Sequence, residues 1–168
     1  MIEGFRKLIG PLQHRVAMMV SRAVIALVED AGGRQTLQMN VLAGEVMTDV
    51  ERFQNYGMTS VPQVGAEAVL VCVAGNRSHP LVIAAEDRRY RLKALQAGEV
   101  ALYDDIGHVV HLTRTGIVIE GGGQNISITG APQVVVTGGD VVADGISLKT
   151  HVRAGVMGGD GDTSGPVG

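Results

Sequence analysis

No tryptophan occurs in this 168-residue chain, and it has two phenylalanines and three tyrosines. So few aromatics leave no stacking platform for bases, which argues against a binder of single-stranded nucleic acid. Basic charge is also in short supply. Fourteen Lys and Arg stand against 17 Asp and Glu, for a net charge of −3 and a pI near 5.9, so no general positive field awaits a phosphate backbone. The single cysteine, Cys72, excludes a disulfide framework within the chain. Its setting, Val69-Leu-Val-Cys-Val73, reads as a buried strand. No apolar run approaches ~18 residues, so no membrane-spanning helix is expected. The opening Met-Ile-Glu-Gly-Phe-Arg-Lys-Leu-Ile-Gly mixes charges into its apolar residues and lacks a cleavage-type ending. No secretory signal is expected there, and assembly is expected in a cytoplasm.

Glycine and small β-branched residues fill the gap. The stretch from Gln96 to Gly168 carries 16 of the 24 glycines and one aromatic residue, Tyr103. Between the glycines lie short apolar runs: Val100–Leu102, His108–Leu112, Ile117–Ile119, Ile126–Ile128, Val134–Val136, Val141–Val142 and Ile146–Leu148. Short β-branched runs closed by Gly, Asn, Asp or Pro predict strand and turn in alternation, without helix. Burial is the difficulty. Ordering about 70 residues costs on the order of 100 kcal/mol at ~1.5 kcal/mol each. Offsetting that takes roughly 4,000 Å² of apolar burial at ~25 cal/mol per Å². Short Val and Ile strands with nothing to cover them do not reach that alone, and their edges invite pairing. An intertwined β prism of identical chains resolves both problems.

The rest of the chain predicts an all-β domain behind a short helix. Ile2, Phe5, Leu8, Ile9 and Leu12 recur at helical spacing, and Pro11 is expected to end or kink that helix. Residues 1–14 form this segment, as a cover for the next domain or a docking element for another protein. From Arg15 to Tyr90 the pattern is β. Strands are expected in Val16–Val28, Gln35–Val41, Glu67–Val73 and Leu81–Ala85, with a loop-like stretch from Asp49 to Thr59. Five or six strands in about 70 residues suit a small barrel of OB type. Met18 and Met19 are expected in its core. Glu86-Asp-Arg-Arg-Tyr-Arg-Leu-Lys93 is the one charge run; it reads as a solvated connector, with a salt-bridged seam between copies as the alternative. Residues 91–168 then form the β array.

The series Leu37-Gln-Met39, Gly44-Glu45, Phe53-Gln-Asn-Tyr-Gly57, Pro62-Gln-Val-Gly65 and Gly98-Glu-Val-Ala-Leu-Tyr103 resembles the phage Mu-type baseplate assembly and central tail-spike proteins. So do Gly107-His-Val-Val-His-Leu112 and Gly145-Ile-Ser-Leu-Lys-Thr-His-Val152. The resemblance runs from about Arg15 to Pro166. It implies a homotrimer at the tip of a contractile tail. An OB barrel would join the baseplate hub protein, and a three-chain β-helix would taper to a tip that meets the host outer membrane. The implied place is the virion, at the tail baseplate. A related bacterial contractile injection system, such as a tailocin or secretion spike, would share these features. A carbohydrate-acting or acyltransferase-like β-helix is the more distant alternative, and it would need a strict hexapeptide repeat or paired acids.

The resemblance also implies a His-x-His pair near the tip, with six imidazoles from three chains around an iron ion. This chain reads Thr150-His151-Val152-Arg153, with arginine in the second place. Arginine stays protonated and does not ligate metal. Three readings stay open: a metal held by three copies of His151 with water, an anion held by Arg153, or a tip closed by packing alone. His14, His79, His108 and His111 match no ligand spacing and are expected to be structural or exposed. Asp160 and Asp162 read as a tail loop. Ser21, Ser60, Ser78, Ser127, Ser147 and Ser164 lack a nucleophile-elbow context, and Gly121-Gly-Gly123 opens no helix, so no enzyme is expected.

Overall fold

The computed structural model describes residues 2–151, with side-chain surroundings from residue 9 onward, Ala43 excepted. The chain divides into two compact units, residues 1–124 and 125–168. Helix α1 spans Ile2–Ala17 and runs through Pro11 rather than ending there. Proline in a helix interior costs about 3 kcal/mol relative to alanine, and Gly4 and Gly10 about 1 kcal/mol each. A helix of this length and composition is not stable alone in water. It is anchored at its last turn, where His14 and Arg15 suit the negative end of the helix dipole. There the backbone closes onto Gly75, which has φ +71°, and a Cβ at that position would lie 2.6 Å from the Arg15 carbonyl oxygen. Arg77, ion-paired to Glu45, places Nη1 3.5 Å from Met18 Sδ. Met18 and Met19 therefore stay near the surface and outside the core, against expectation.

Five strands follow: β1 Val20–Glu29, β2 Gln35–Asn40, β3 Val46–Arg52, β4 Glu67–Cys72 and β5 Pro80–Glu86. They close a barrel in the order β1-β2-β3-β5-β4, with β1 returning to β4. Strand β1 serves two neighbours. Val20–Val24 pairs with β4, and Val24–Glu29 pairs with β2 past a register shift between Ile25 and Leu27. The β3–β5 contact is parallel; the other four are antiparallel. Alternation in β2 and β4 sends Leu37, Met39, Ala68, Leu70 and Cys72 inward, where they meet Ile25, Val50 and Val82 as the core. Cys72 is free and fully buried, as its setting predicted.

Strand β3 falls partly where a loop was expected. Its residues Thr48, Asp49, Glu51 and Arg52 are polar, and only Val50 is fully buried, with Met47 packed at the edge of the core. Asp49 takes φ +55°, opposite a register shift in β2. Such a bulge erases the two-residue period by which a strand is recognised. The charge run after β5 pairs within the chain: Arg88 with Glu67 at 3.1 Å, Arg89 with Asp87 at 2.6 Å and Arg91 with Glu86 at 3.6 Å. It is a connector whose three arginines each pair with a carboxylate of the same chain.

Past the barrel, β6 Val100–Tyr103, β7 His108–Leu112 and β8 Ile117–Gly121 form a three-stranded antiparallel meander. In the second unit, β9 Val142–Ala143 and β10 Ile146–Ser147 form a small hairpin. The apolar runs Ile126–Ile128 and Val134–Val136, expected as strands, carry no pairing. Among the described residues, none after Val82 is buried. All of the core lies in the barrel.

Candidate functional site

The meander exposes an apolar face. Its register sets Val100 beside Leu112 and Leu112 beside Ile117; one step along, Leu102 lies beside Val110 and Val110 beside Ile119. Residues directly opposite in a ladder share a face. These six side chains are therefore one apolar surface, and every one of them is exposed, up to 71% for Ile117. Monomeric soluble proteins rarely leave such a contiguous patch open.

Carboxylates build the ends of the sheet. Asp104 Oδ1 accepts the backbone N–H groups of Ile106 (3.1 Å) and His108 (2.9 Å), and Oδ2 meets His108 Nδ1 at 2.6 Å. Desolvation raises the Asp104 pKa, but these hydrogen bonds together outweigh it and hold the carboxyl below its usual range. Glu99 closes the other end, accepting from the N–H groups of Gln96 at 2.9 Å and Arg114 at 3.1 Å. The Gln96 bond leads in holding its pKa down. His111 Nε2 lies 3.3 Å from Glu99 Oε2, within ion-pair reach, but it is buried and without an aligned hydrogen bond.

At the other end of the barrel side, Gln35 and Arg52 lock a loop. Arg52 Nη1 donates to Gln35 Oε1 (2.7 Å) and to the Ser60 carbonyl (2.6 Å), and Nη2 donates to Ser60 Oγ (2.9 Å). Gln35 Nε2 donates to Asp30 Oδ1 (2.7 Å) and to the Ser60 carbonyl (3.0 Å). Burial lowers the Arg52 pKa, against the raising effect of Asp30. The network fixes an uncharged loop that displays Phe53, Tyr56, Met58, Val61 and Val64 to solvent.

In the hairpin, Asp144 (φ +49°) and Gly145 (φ +81°) make the two-residue turn that Asp-Gly favours. Asp140 Oδ1 accepts from the N–H groups of Val141 (2.8 Å) and Lys149 (3.2 Å), and Ser147 Oγ donates to Oδ2. The Ser147 bond is the main cause of the lowered Asp140 pKa. Ser147 in turn accepts from Thr150 N–H at 2.9 Å, and its carbonyl accepts from His151 N–H at 3.1 Å. His151 Nδ1 is 3.1 Å from the Leu148 carbonyl. A carbonyl only accepts, so Nδ1 is the donor in this contact, and in the corresponding neutral tautomer the lone pair lies on Nε2.

Known proteins match this chain along its length. The family model described as Bacteriophage Mu Gp45, N-terminal, matches residues 22–89. The "Mu-like prophage FluMu protein gp45" of Haemophilus influenzae is 38% identical across 99% of this chain and 98% of that protein. The chain belongs to the phage Mu Gp45 family. A second relative, the "Baseplate puncturing device gp45" of Escherichia phage Mu, is 41% identical over 67% of this chain and 57% of its own length.

Within this Gp45-family chain, the residues singled out from sequence are not gathered in one place. His151 ends the described hairpin; Arg153, Asp160 and Asp162 lie outside the described residues. His14 and His79 are exposed, while His108 and His111 pair with Asp104 and Glu99. Among the described residues, no three His, Cys, Asp or Glu side chains come together as a metal site. Sequence reading missed Asp104, Glu99, Asp140 and the Arg52–Gln35 pair. Asp104 and Asp140 had a signal, since each precedes a turn whose N–H groups an aspartate captures. Arg52 and Gln35 had none, because their partner at Ser60 is set by barrel closure.

Proposed function

We propose that this chain is the central puncturing spike of a Mu-like contractile tail, a structural component of the virion at the tail baseplate. The observation that carries this is full-length similarity to a gp45 protein together with 41% identity to a relative named for puncturing. In this reading the barrel faces the baseplate and the far end meets the host outer membrane. The work is mechanical and needs no catalysis.

The finer architecture we propose is a homotrimer. Residues 15–90 act as an OB-type barrel that docks on the hub protein, in line with the strand order β1-β2-β3-β5-β4 closing on β1. Residues 91–168 intertwine with two further copies as a β-helix ending in the tip. The exposed face of β6–β8 and the unpaired runs Ile126–Ile128 and Val134–Val136 support this, since other copies supply both cover and ladder partners. The N-terminal segment drawn at residues 1–14 corresponds to helix α1, which runs on to Ala17.

At the tip, the donor set decides the metal. Three copies of His151 offer three Nε2 lone pairs, which suits a metal only with water completing the shell. Arg153 adds no ligand. The proposed tip is a three-histidine site that holds iron poorly. The test of the main reading is location: antibody against this chain should label the distal end of tails, and tails made without it should lack puncturing activity while keeping their sheath. Label along the sheath, or infectious tails without the chain, would sink it.

A further inference from the structure

Among the described residues, no strand of the barrel pairs with a strand of the meander. Residues 87–99, which join β5 to β6, carry no strand either. A join of that kind leaves two sheets free to move against each other unless something bridges them. Residues 60–65, in the loop between β3 and β4, are that bridge. At one end the Ser60 carbonyl accepts from Arg52 and Gln35, and Ser60 N–H donates to Gln54 Oε1 at 2.8 Å. Further along, Gln63 Nε2 donates to Asp105 Oδ2 at 2.8 Å, in the turn between β6 and β7. At the other end the Val64 carbonyl accepts from Arg89 Nη2 at 2.9 Å, and Gly65 N–H donates to the Ile25 carbonyl at 2.8 Å.

The anchor points are themselves held. Asp87 Oδ1 accepts from Arg89 N–H at 3.0 Å and from Nε at 2.9 Å. Gly65, at φ +91°, lets that guanidinium lie close: a Cβ there would stand 3.4 Å from both of its terminal nitrogens. Asp104 ties down the turn that carries Asp105. Packing does not fill the joint, since a cleft of about 260 Å³ remains beside the bridge, lined by Pro62, Tyr90 and Tyr103 among others. The hydrogen bonds therefore carry it.

We propose that residues 60–65 are a strap that couples the barrel to the meander, so that a disturbance at Arg52 is felt at the β6–β7 turn. Connected hydrogen bonds transmit coupling of this kind. The use of the strap, passing a push from the barrel to the spike without letting the joint swing, rests on the puncturing reading above. The strap itself lies within one chain and is independent of copy number.

Amide exchange in the full chain tests this. Arg52→Ala should speed exchange severalfold in residues 104–108 as well as in the loop. Gln63→Ala, at an exposed side chain, cuts the bridge directly and should do the same in residues 104–108. Coupling is reciprocal, so Asp105→Ala should speed exchange in residues 60–65, whereas Asp105→Asn keeps an acceptor oxygen and should not. Arg34→Ala removes an exposed pair with Asp49, away from the strap, and should leave residues 104–108 unchanged. If Arg52→Ala loosens the loop and not residues 104–108, the strap transmits nothing and the proposal fails. Equal speeding throughout the barrel after Gln63→Ala would be general destabilisation and would overturn it as well. Misplaced antibody label on tails would overturn the puncturing reading and leave these exchange results standing.

Discussion

Arg52 and Gln35 share a 2.7 Å hydrogen bond at the mouth of the barrel, and both bind the carbonyl of Ser60. Gln35 is buried at the foot of this pair. Truncating Arg52 strands its Oε1, and an unmet buried acceptor costs about 1–3 kcal/mol. Arg52→Ala should therefore lower the denaturant midpoint of the barrel and expose the Phe53–Val64 loop to protease. Unchanged cleavage in that loop would show that the network does not hold it.

Gly75 is needed for the helix to sit where it does. Gly75→Ala adds a Cβ 2.6 Å from the Arg15 carbonyl oxygen on a backbone with φ +71°. The expected loss is about 1–3 kcal/mol, seen as faster amide exchange in residues 12–17. Gly33→Ala, in open space, should leave exchange there unchanged. Equal effects of the two would remove the steric argument.

The apolar face of β6–β8 should be the seam between copies. Ile119→Asp puts a charge on that face, whereas Glu120→Ala changes the opposite one. Sedimentation should show loss of the trimer for the first and retention for the second. A trimer that survives Ile119→Asp would place the interface elsewhere.

Acid should loosen the turns before it reaches the barrel core. The pKa values of Glu99, Asp104 and Asp140 are held low. A carboxylate with a depressed folded pKa adds stability that is complete above its unfolded value, ~4, and is lost as pH falls through the folded one. Thermal stability should thus be flat, as far as these groups go, from neutral pH to about 5 and fall below about 4. Asp104→Asn should lower stability at neutral pH and flatten part of that acid decline. An unchanged profile would assign the decline to other groups.

Iron content tests the tip. The purified trimer should carry well under one iron, and Arg153→His should approach one, by elemental analysis. Full occupancy in the unmodified protein would show that three His151 side chains suffice.

The local order was legible in the sequence because it depends on short-range patterns. Alternation placed Leu37 and Met39 inside a strand, the setting of Cys72 marked it as buried, and the runs at Val100, His108 and Ile117 became β6, β7 and β8. Family membership was legible too, from ordered motifs spread over the chain. Tertiary structure decided what depends on distant partners. Pro11 passes through a helix because the last turn is anchored on Gly75, 60 residues away from Arg15. β3 is a strand because β2 and β5 pair with it, although Asp49 breaks its pattern. Arg52, Gln35 and Ser60 meet because the barrel closes. Ile126–Ile128 and Val134–Val136 have strand sequences and no ladder, since a ladder requires a second strand and the described residues do not supply one.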